Sequence, residues 1–175
     1  MTAIGSAGVS WYFAYGSNMN PLRMAARGIE TIERIPAYLP RFKLCFNKRA
    51  NNKQGVAYAN IRRCEQSRVY GALYRLARAE DIQLLDPFEG TPVRYGREVF
   101  ELFTDSGAEQ SAIAAWAYTA NTPWLDENLL PESAYIQHLL AGADLYPESY
   151  RQRLLEQAVL PNSESAHHED GLRFN

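Results

Sequence analysis

The sequence predicts a single α+β domain whose sheet is large enough to curl or close on itself. Three observations lead there. The 175 residues suit one domain of the usual size, roughly 100 to 200 residues. Aromatic-rich or period-two segments recur along the chain, and short helical patterns with defined starts interrupt them. No linker-like run divides residues 11–160, whereas 1–10 and 162–175 are polar and aperiodic and read as flexible ends.

Taken in order, residues 11–15 are aromatic-rich and form the first strand candidate. Asn20-Pro21 supplies an N-cap followed by proline at the first helical position, opening a short helix to about Arg27 with Gly28 as its stop. Phe42, Leu44 and Phe46 alternate with Lys43, Cys45 and Asn47, a strand that turns Cys45 away from the Phe face. Residues 56–61 and 69–76 are two more strands and 80–86 a second short helix. Residues 95–103 and 112–118 form a strand pair joined through a hairpin-like turn at Asp105-Ser106-Gly107. Pro131-Glu132 and Pro147-Glu148 each put proline and an acid in a first helical turn. Two amphipathic helices therefore close the chain, the second presenting Tyr150, Leu154, Leu155 and Ala158 on one face. The total is about six strands with helices around them.

Composition narrows the chemistry. Hydrophobic residues make up 46% and charged residues 22%, and 18 basic against 20 acidic side chains leave a formal net charge of −2. The basic footprint of a nucleic-acid partner is absent. Residues 1–10 hold no Lys or Arg and no apolar signal core, and the apolar stretch 112–117 is far too short to span a bilayer. Neither export nor a membrane is expected, and the compartment is cytoplasmic by default. Cys45 and Cys64 are too far apart for a Cys-x-x-Cys pair and too few for a disulfide framework. Of the 3 His, His167 and His168 fall in the tail, and His138 sits in a helix among Tyr135, Leu139 and Gly142, where packing is its expected role. Metal, thiolate and imidazole chemistry have little to work with, so no metal or cofactor is expected; the 11 Tyr are the larger resource.

Tyr15-Gly16-Ser17-Asn18-Met19 leaves a buried strand and enters a helix N-terminus. The backbone N–H groups of Gly16 through Met19 can therefore point at one spot and cradle an anion or oxyanion; a plain tight turn at Gly16 and Asn18 is the alternative. Ser17 lacks the Gly-x-Ser-x-Gly spacing and the base that a serine nucleophile needs. Pro87 cannot continue the 80–86 helix and Gly90 suits a left-handed stop, which leaves Glu89 beside exposed helical carbonyls whose partial negative charge disfavours a carboxylate. Asp86 reads as a solvated acid at the C-terminus of that helix. Glu98 and Glu101 have opposite parity on one strand, so a glycosidase-type carboxyl pair is not supported. Arg41, Arg94 and Arg97 could meet substrate carboxylates but read more simply as surface residues.

An ordered set of segments resembles the γ-glutamylcyclotransferase family over about residues 11 to 160. It comprises Phe13-Ala14-Tyr15-Gly16-Ser17-Asn18-Met19, the Gly-containing strand Val69-Tyr70-Gly71-Ala72-Leu73-Tyr74, and Phe88-Glu89-Gly90 after a short helix, with Tyr95, Tyr118 and Tyr150 in later elements. The resemblance implies a small mixed β-barrel flanked by helices, and cleavage of a γ-glutamyl amide by its own α-amine to release 5-oxoproline and an amino acid or amine. It implies Glu89 as general acid/base, Tyr15, Gly16, Ser17, Asn18 and Met19 as the holder of the γ-glutamyl portion, and Tyr95, Tyr118 and Tyr150 as pocket walls. The partner is then a small-molecule γ-glutamyl substrate, with the chain acting without cofactor as a monomer or homodimer. A γ-glutamylamine or other γ-glutamyl metabolite as substrate, and a non-catalytic module that binds a small acidic ligand, are the alternatives. Pro87 departs from the family's pattern and bears on how Glu89 is presented.

Overall fold

The computed structural model describes residues 8–104 and 112–161. The expected turn at Asp105-Ser106-Gly107, most of the expected flexible end 1–10 and all of 162–175, including His167 and His168, lie outside the described residues. Within them Val9 is already buried and the Ser10 carbonyl accepts from the Leu76 N–H at 2.8 Å.

Five strands close into a barrel in the order β1-β3-β2-β4-β5. They are β1 (Trp11–Ala14), β2 (Thr31–Arg49), β3 (Ala57–Leu76), β4 (Tyr95–Phe103) and β5 (Ala112–Ala120). Neighbours pair antiparallel except at the closing seam, where Tyr12 of β1 meets Trp116 of β5 in parallel. Two of the expected strands, 56–61 and 69–76, are one continuous strand. The charged run between them, with Arg62, Arg63, Glu65 and Gln66 exposed, has no apolar face to show because this middle stretch of the β2–β3 hairpin stands in water. Pairing continues nonetheless from Phe42 to Arg63 and from Pro40 to Arg68, across a bulge at Arg41, whose φ is 63°. The first half of β2 gave no strand signal because Pro36 and Pro40 interrupt it. Its far edge pairs with β4 only at Tyr38 and Phe103, which leaves positions where a missing N–H costs nothing.

The alternation of strand side chains splits the core in two. Phe13, Leu39, Val69, Leu73, Leu102 and Ala115 come from all five strands and fill the barrel. Tyr12, Ala72 and Tyr74 point the other way and pack with Met19, Met24, Leu139 and Leu154 under the helices. Because β1 is buried on both faces, it reads as an unbroken apolar run rather than an alternating one.

The helices begin near their start signals but not always on them: Glu132 is the N-cap of the helix at Ser133–Leu140, with Pro131 before it, and Pro147 is the N-cap of the helix at Glu148–Leu155, so only Glu148 falls in a first turn. Asn20 caps α1 (Pro21–Ala26), its Oδ1 accepting from the Leu22 N–H at 3.0 Å, and Gly28 ends that segment at φ 74°. In place of one helix over 80–86 there is a 3-10 turn, Ala79–Leu84, and then α2 (Asp86–Glu89). Pro87 does not stop a helix here; it occupies the first turn of a new one, where its lacking N–H would have had no partner anyway. The C-terminal pair is α3 (Ser133–Leu140) and α4 (Glu148–Leu155). On α4 Tyr150 and Leu154 are buried as expected, but Leu155 is 50% exposed and Ala158 lies past the helix end, because one residue's 100° turn carries position 155 off the packed face.

Candidate active site

Glu89 is the last residue of α2, and its placement depends on the residue after it. Gly90 sits at φ 67°, a left-handed conformation natural to glycine, and its N–H closes back on Pro87 and Asp86 carbonyls. The short helix therefore ends at Glu89, with the side chain turned toward the loop that leaves β1. There Glu89 Oε1 accepts from Arg27 Nη1 at 2.9 Å and from Asn18 Nδ2 at 3.3 Å. Asn18 Nδ2 also donates to the Tyr12 hydroxyl at 2.8 Å. Both protein contacts fall on one carboxyl oxygen. Oε2 has no hydrogen-bond partner among the described residues.

Glu89 stands where two spaces meet. A small inner cavity of about 30 Å³ is walled by Tyr15, Gly16, Ser17, Asn18, Tyr118 and Glu89 among others. An outer cleft of about 460 Å³ shares Ser17, Glu89, Tyr95 and Tyr135 with it. The inner cavity is about the size of one water, so a glutamyl-sized group has to extend into the outer cleft. Gly16 faces the inner cavity closely enough that a Cβ would come within 3.0 Å of the Tyr135 hydroxyl and 3.2 Å of Ala59 Cβ.

The tyrosines of this end are held by their hydroxyls. Tyr15 donates to the Tyr118 carbonyl, and Tyr95 donates to the Ala59 carbonyl at 2.8 Å. Tyr118 donates to Asp86 Oδ1 at 2.7 Å, and Tyr135 accepts from the Ala59 N–H at 3.1 Å. Burial pushes every one of these phenols up, Tyr135 to about 12, with the Glu89 charge next in importance for Tyr12 and the Asp86 bond next for Tyr118. They stay protonated at neutral pH; Tyr15, Tyr95 and Tyr118 donate while Tyr12 and Tyr135 accept, and all five line the inner cavity.

Several expectations need correction. Tyr150 lies on α4 against Tyr70 and Tyr146, ring centroids 5.2 and 4.9 Å away, and lines neither space around Glu89. The amides from Gly16 to Met19 do not converge as a set: the Met19 N–H bonds to the Gly16 carbonyl at 3.0 Å, and the Met19 side chain is sealed in the core with its sulfur accepting from the Ala72 N–H. The 3-10 turn Ser17–Met19 uses that amide internally. Asp86 is no solvated acid, since Arg97 Nη1 reaches both its oxygens at 3.0 and 3.1 Å besides Tyr118. Arg97 is thereby occupied, Arg41 is exposed at its bulge, and Arg94 lines the outer cleft. His138 is not a packing residue: it lines the outer cleft beside Arg23.

Sequence reasoning passed over Tyr12, Arg23, Arg27, Lys48 and Tyr135. Arg23 and Arg27 had a usable signal, being i and i+4 on the short helix that leaves the Tyr15–Met19 loop. Lys48 had none. It is 3% exposed on β2 with its ammonium 5.2 to 5.4 Å from the ring centres of Tyr58, Tyr95 and Trp124. Burial, and then the nearby Arg94 charge, bring it down to about 8. Among the described residues no three His, Cys, Asp or Glu side chains gather as a metal site would need, and no helix is long and apolar enough to cross a membrane.

The described residues thus form a five-stranded closed barrel with a cleft lined by Arg23, Arg27, Arg94, Glu89 and Glu132. The chain belongs to the γ-glutamyl cyclotransferase, AIG2-like family, which it matches over residues 12–137. Among solved structures it is similar to a γ-glutamyl cyclotransferase at 23% identity and TM-score 0.73, covering 87% of this chain and 90% of that one. It is similar to the uncharacterized protein loc79017 from Homo sapiens at 24% identity and TM-score 0.71, covering 87% and 89%. A γ-glutamyl cyclotransferase from yeast, specific to glutathione, shares 12% identity at TM-score 0.60, with 83% and 93% covered. At these identities the likeness is one of fold. No curated protein sequence matches the chain.

Proposed function

We propose that the chain is a γ-glutamyl cyclotransferase in which Glu89 moves the proton. The observation that carries this reading is the half-occupied carboxyl: Oε1 is fixed by Arg27 and Asn18, while Oε2, at the junction of the two spaces, has no hydrogen-bond partner among the described residues. In a γ-glutamyl amide the α-amine and the γ-carbonyl belong to one molecule, so attack closes a five-membered ring and needs only a near-attack fold of the substrate. The α-ammonium, with a reference pKa of about 8, gives its proton to Glu89. The freed nitrogen bonds to the carbonyl carbon of the γ-amide, and the carbonyl oxygen takes up the negative charge beside the Gly16–Asn18 loop. Glu89 returns the proton to the leaving nitrogen as the old C–N bond breaks, giving 5-oxoproline and the free amine. The ring nitrogen then gives up its second proton through Glu89 to the released amine, which departs as its ammonium, so two protons in all pass from the old α-ammonium to the leaving nitrogen and no further reactant enters.

Tyr15, Tyr95, Tyr118 and Tyr135 shape the wall against which the substrate folds, and Tyr12 holds Asn18 in place. Incubation of the purified chain with a panel of γ-glutamyl dipeptides and γ-glutamylamines, with 5-oxoproline as the readout, tests the reading. Release of 5-oxoproline that disappears in Glu89→Gln supports it. Ligand-induced thermal stabilisation without any turnover would replace it by a binding module for small acidic ligands.

A further inference from the structure

Glu89 is carried by a single helical turn, Asp86–Glu89, and a helix that short is not stable on its own. What aims the Glu89 carboxyl has to come from outside α2. At the rear the turn is closed by backbone, the Asp86 carbonyl accepting from the Thr91 N–H at 3.0 Å behind the left-handed Gly90. At the front it is tied down by the Asp86 carboxyl. Arg97 Nη1 donates to both Asp86 oxygens at 3.0 and 3.1 Å, and the Tyr118 hydroxyl donates to Oδ1 at 2.7 Å. Arg97 and Tyr118 are direct partners across the β4–β5 ladder, so both side chains leave the same face of the barrel wall and close on one carboxyl.

Asp86 lines neither the inner cavity nor the outer cleft, whereas Glu89 lines both. Its contacts nonetheless lead back to Glu89 by a second route. The Tyr118 ring meets the Tyr12 ring edge-on with centroids 5.9 Å apart, the Tyr12 hydroxyl accepts from Asn18 Nδ2 at 2.8 Å, and the same nitrogen donates to Glu89 Oε1 at 3.3 Å. Tyr12 and Tyr118 are buried, so the route has no slack space along it. A displacement at Asp86 therefore reaches Glu89 from two sides, along α2 and through the rings. The two acids are also three positions apart on one helix, where side chains are neighbours and like charges oppose each other. Arg97 on one carboxylate and Arg27 on the other offset that repulsion.

We propose that Asp86 is a positioning residue for the proton transfer: anchored by Arg97 and Tyr118, it holds α2 at the angle that leaves Glu89 Oε2 open at the junction of the two spaces. The inference rests on the cyclotransferase reading and adds to it the residue that aims the acid/base. Asp86 touches no substrate and acts only through Glu89.

The test follows 5-oxoproline formation from the γ-glutamyl dipeptide that the wild-type chain turns over fastest, in Asp86→Asn, Arg97→Gln and the double variant. For each, kcat, KM and the acid limb of the pH profile of kcat/KM are measured, and circular dichroism gives the folded fraction. Asn keeps an oxygen for Tyr118 but turns an amide nitrogen, which only donates, toward the Arg97 guanidinium. Asp86→Asn is expected to lower kcat by about 10- to 100-fold with KM within about threefold of the wild type, as a misplacement of about 1 Å can do. Loss of the Asp86 charge is expected to move the acid limb to lower pH by about half a unit, and loss of the Arg97 charge to move it to higher pH, while kcat falls in both variants. The charges of Arg23, Arg27 and Lys48, which also reach Glu89, are the same throughout. The double variant removes the conflict of donors and is expected to recover part of the kcat lost in Asp86→Asn. Wild-type kcat in Asp86→Asn overturns the proposal. So does a loss of kcat that matches the loss of folded protein and leaves the acid limb in place, because Asp86 then serves the fold alone. If Asp86→Asn does not fold, Arg97→Gln decides, and an unchanged kcat there overturns the proposal. Absence of 5-oxoproline from the wild-type chain removes the cyclotransferase reading itself and the positioning role with it, an outcome distinct from turnover that ignores Asp86.

Discussion

Around Glu89, the rings of Tyr12, Tyr15, Tyr95, Tyr118 and Tyr135 stand with each hydroxyl in a hydrogen bond, to a carbonyl, a carboxylate, an amide nitrogen or an asparagine. Beneath α4, Tyr146 and Tyr150 are buried to a similar degree, yet among the described residues the Tyr146 hydroxyl has no partner, and the Tyr150 hydroxyl has only the Tyr70 amide near it, outside hydrogen-bonding geometry. A buried hydroxyl left alone costs about 1 to 3 kcal/mol, so the protein accepts that penalty at one end and avoids it at the other. The difference separates tyrosines that are aimed from tyrosines that supply bulk. In the first group the bond fixes the ring, and the ring fixes the cavity wall.

The contrast can be sharpened most strongly at the carboxyl that the first group surrounds. Glu89→Gln keeps the acceptor for Arg27 and Asn18 and both sets of rings, so the melting temperature is expected to hold while 5-oxoproline formation falls by about 10²- to 10⁴-fold, the usual worth of a general acid/base. Tyr118→Phe comes next. It strips Asp86 of a 2.7 Å donor and is expected to cost about 1 to 3 kcal/mol in urea unfolding, with a higher KM as the wall loosens. A smaller effect is expected from acid. The His138 pKa is lowered in the fold, so between the unfolded value and the folded one the unfolded chain binds more protons. Stability should therefore decline as pH falls below about 6.5, a decline that His138→Gln removes. Tyr146→Phe should cost nothing, because it removes an unpaired hydroxyl, and is expected to leave stability unchanged or raise it by up to the about 1 to 3 kcal/mol that the hydroxyl costs. A loss as large as that in Tyr118→Phe would break the comparison.

How much of this was legible in the sequence depended on whether the signal was local. The cap at Asn20, the stop at Gly28 and the left-handed Gly90 are decided within a few residues, and each was read in place. Strand length was not local. The charged run from Arg62 to Arg68 and the prolines at 36 and 40 look like breaks, and only pairing with the partner strand keeps β2 and β3 continuous. The site divided in the same way. Glu89, Ser17 and Asn18 sit in motifs, whereas Lys48 and His138 become cleft residues only because distant elements are brought together. Tyr150 was misplaced because a tyrosine on a helix does not reveal from its neighbours in sequence which end of the barrel it will face.

The parallel seam between Tyr12 and Trp116 joins residues about a hundred positions apart, the kind of contact whose loop entropy must be met before it gains anything. The β2–β3 hairpin can form without it. The pocket cannot, for the Tyr15 hydroxyl reaches the Tyr118 carbonyl and the Tyr12 ring packs edge-on to Tyr118 across that same seam. Assembly of the site and closure of the barrel thus go together: a chain whose long hairpin has formed while its first and last strands are still apart holds Glu89 with no pocket around it, so the proposed turnover would itself read out barrel closure.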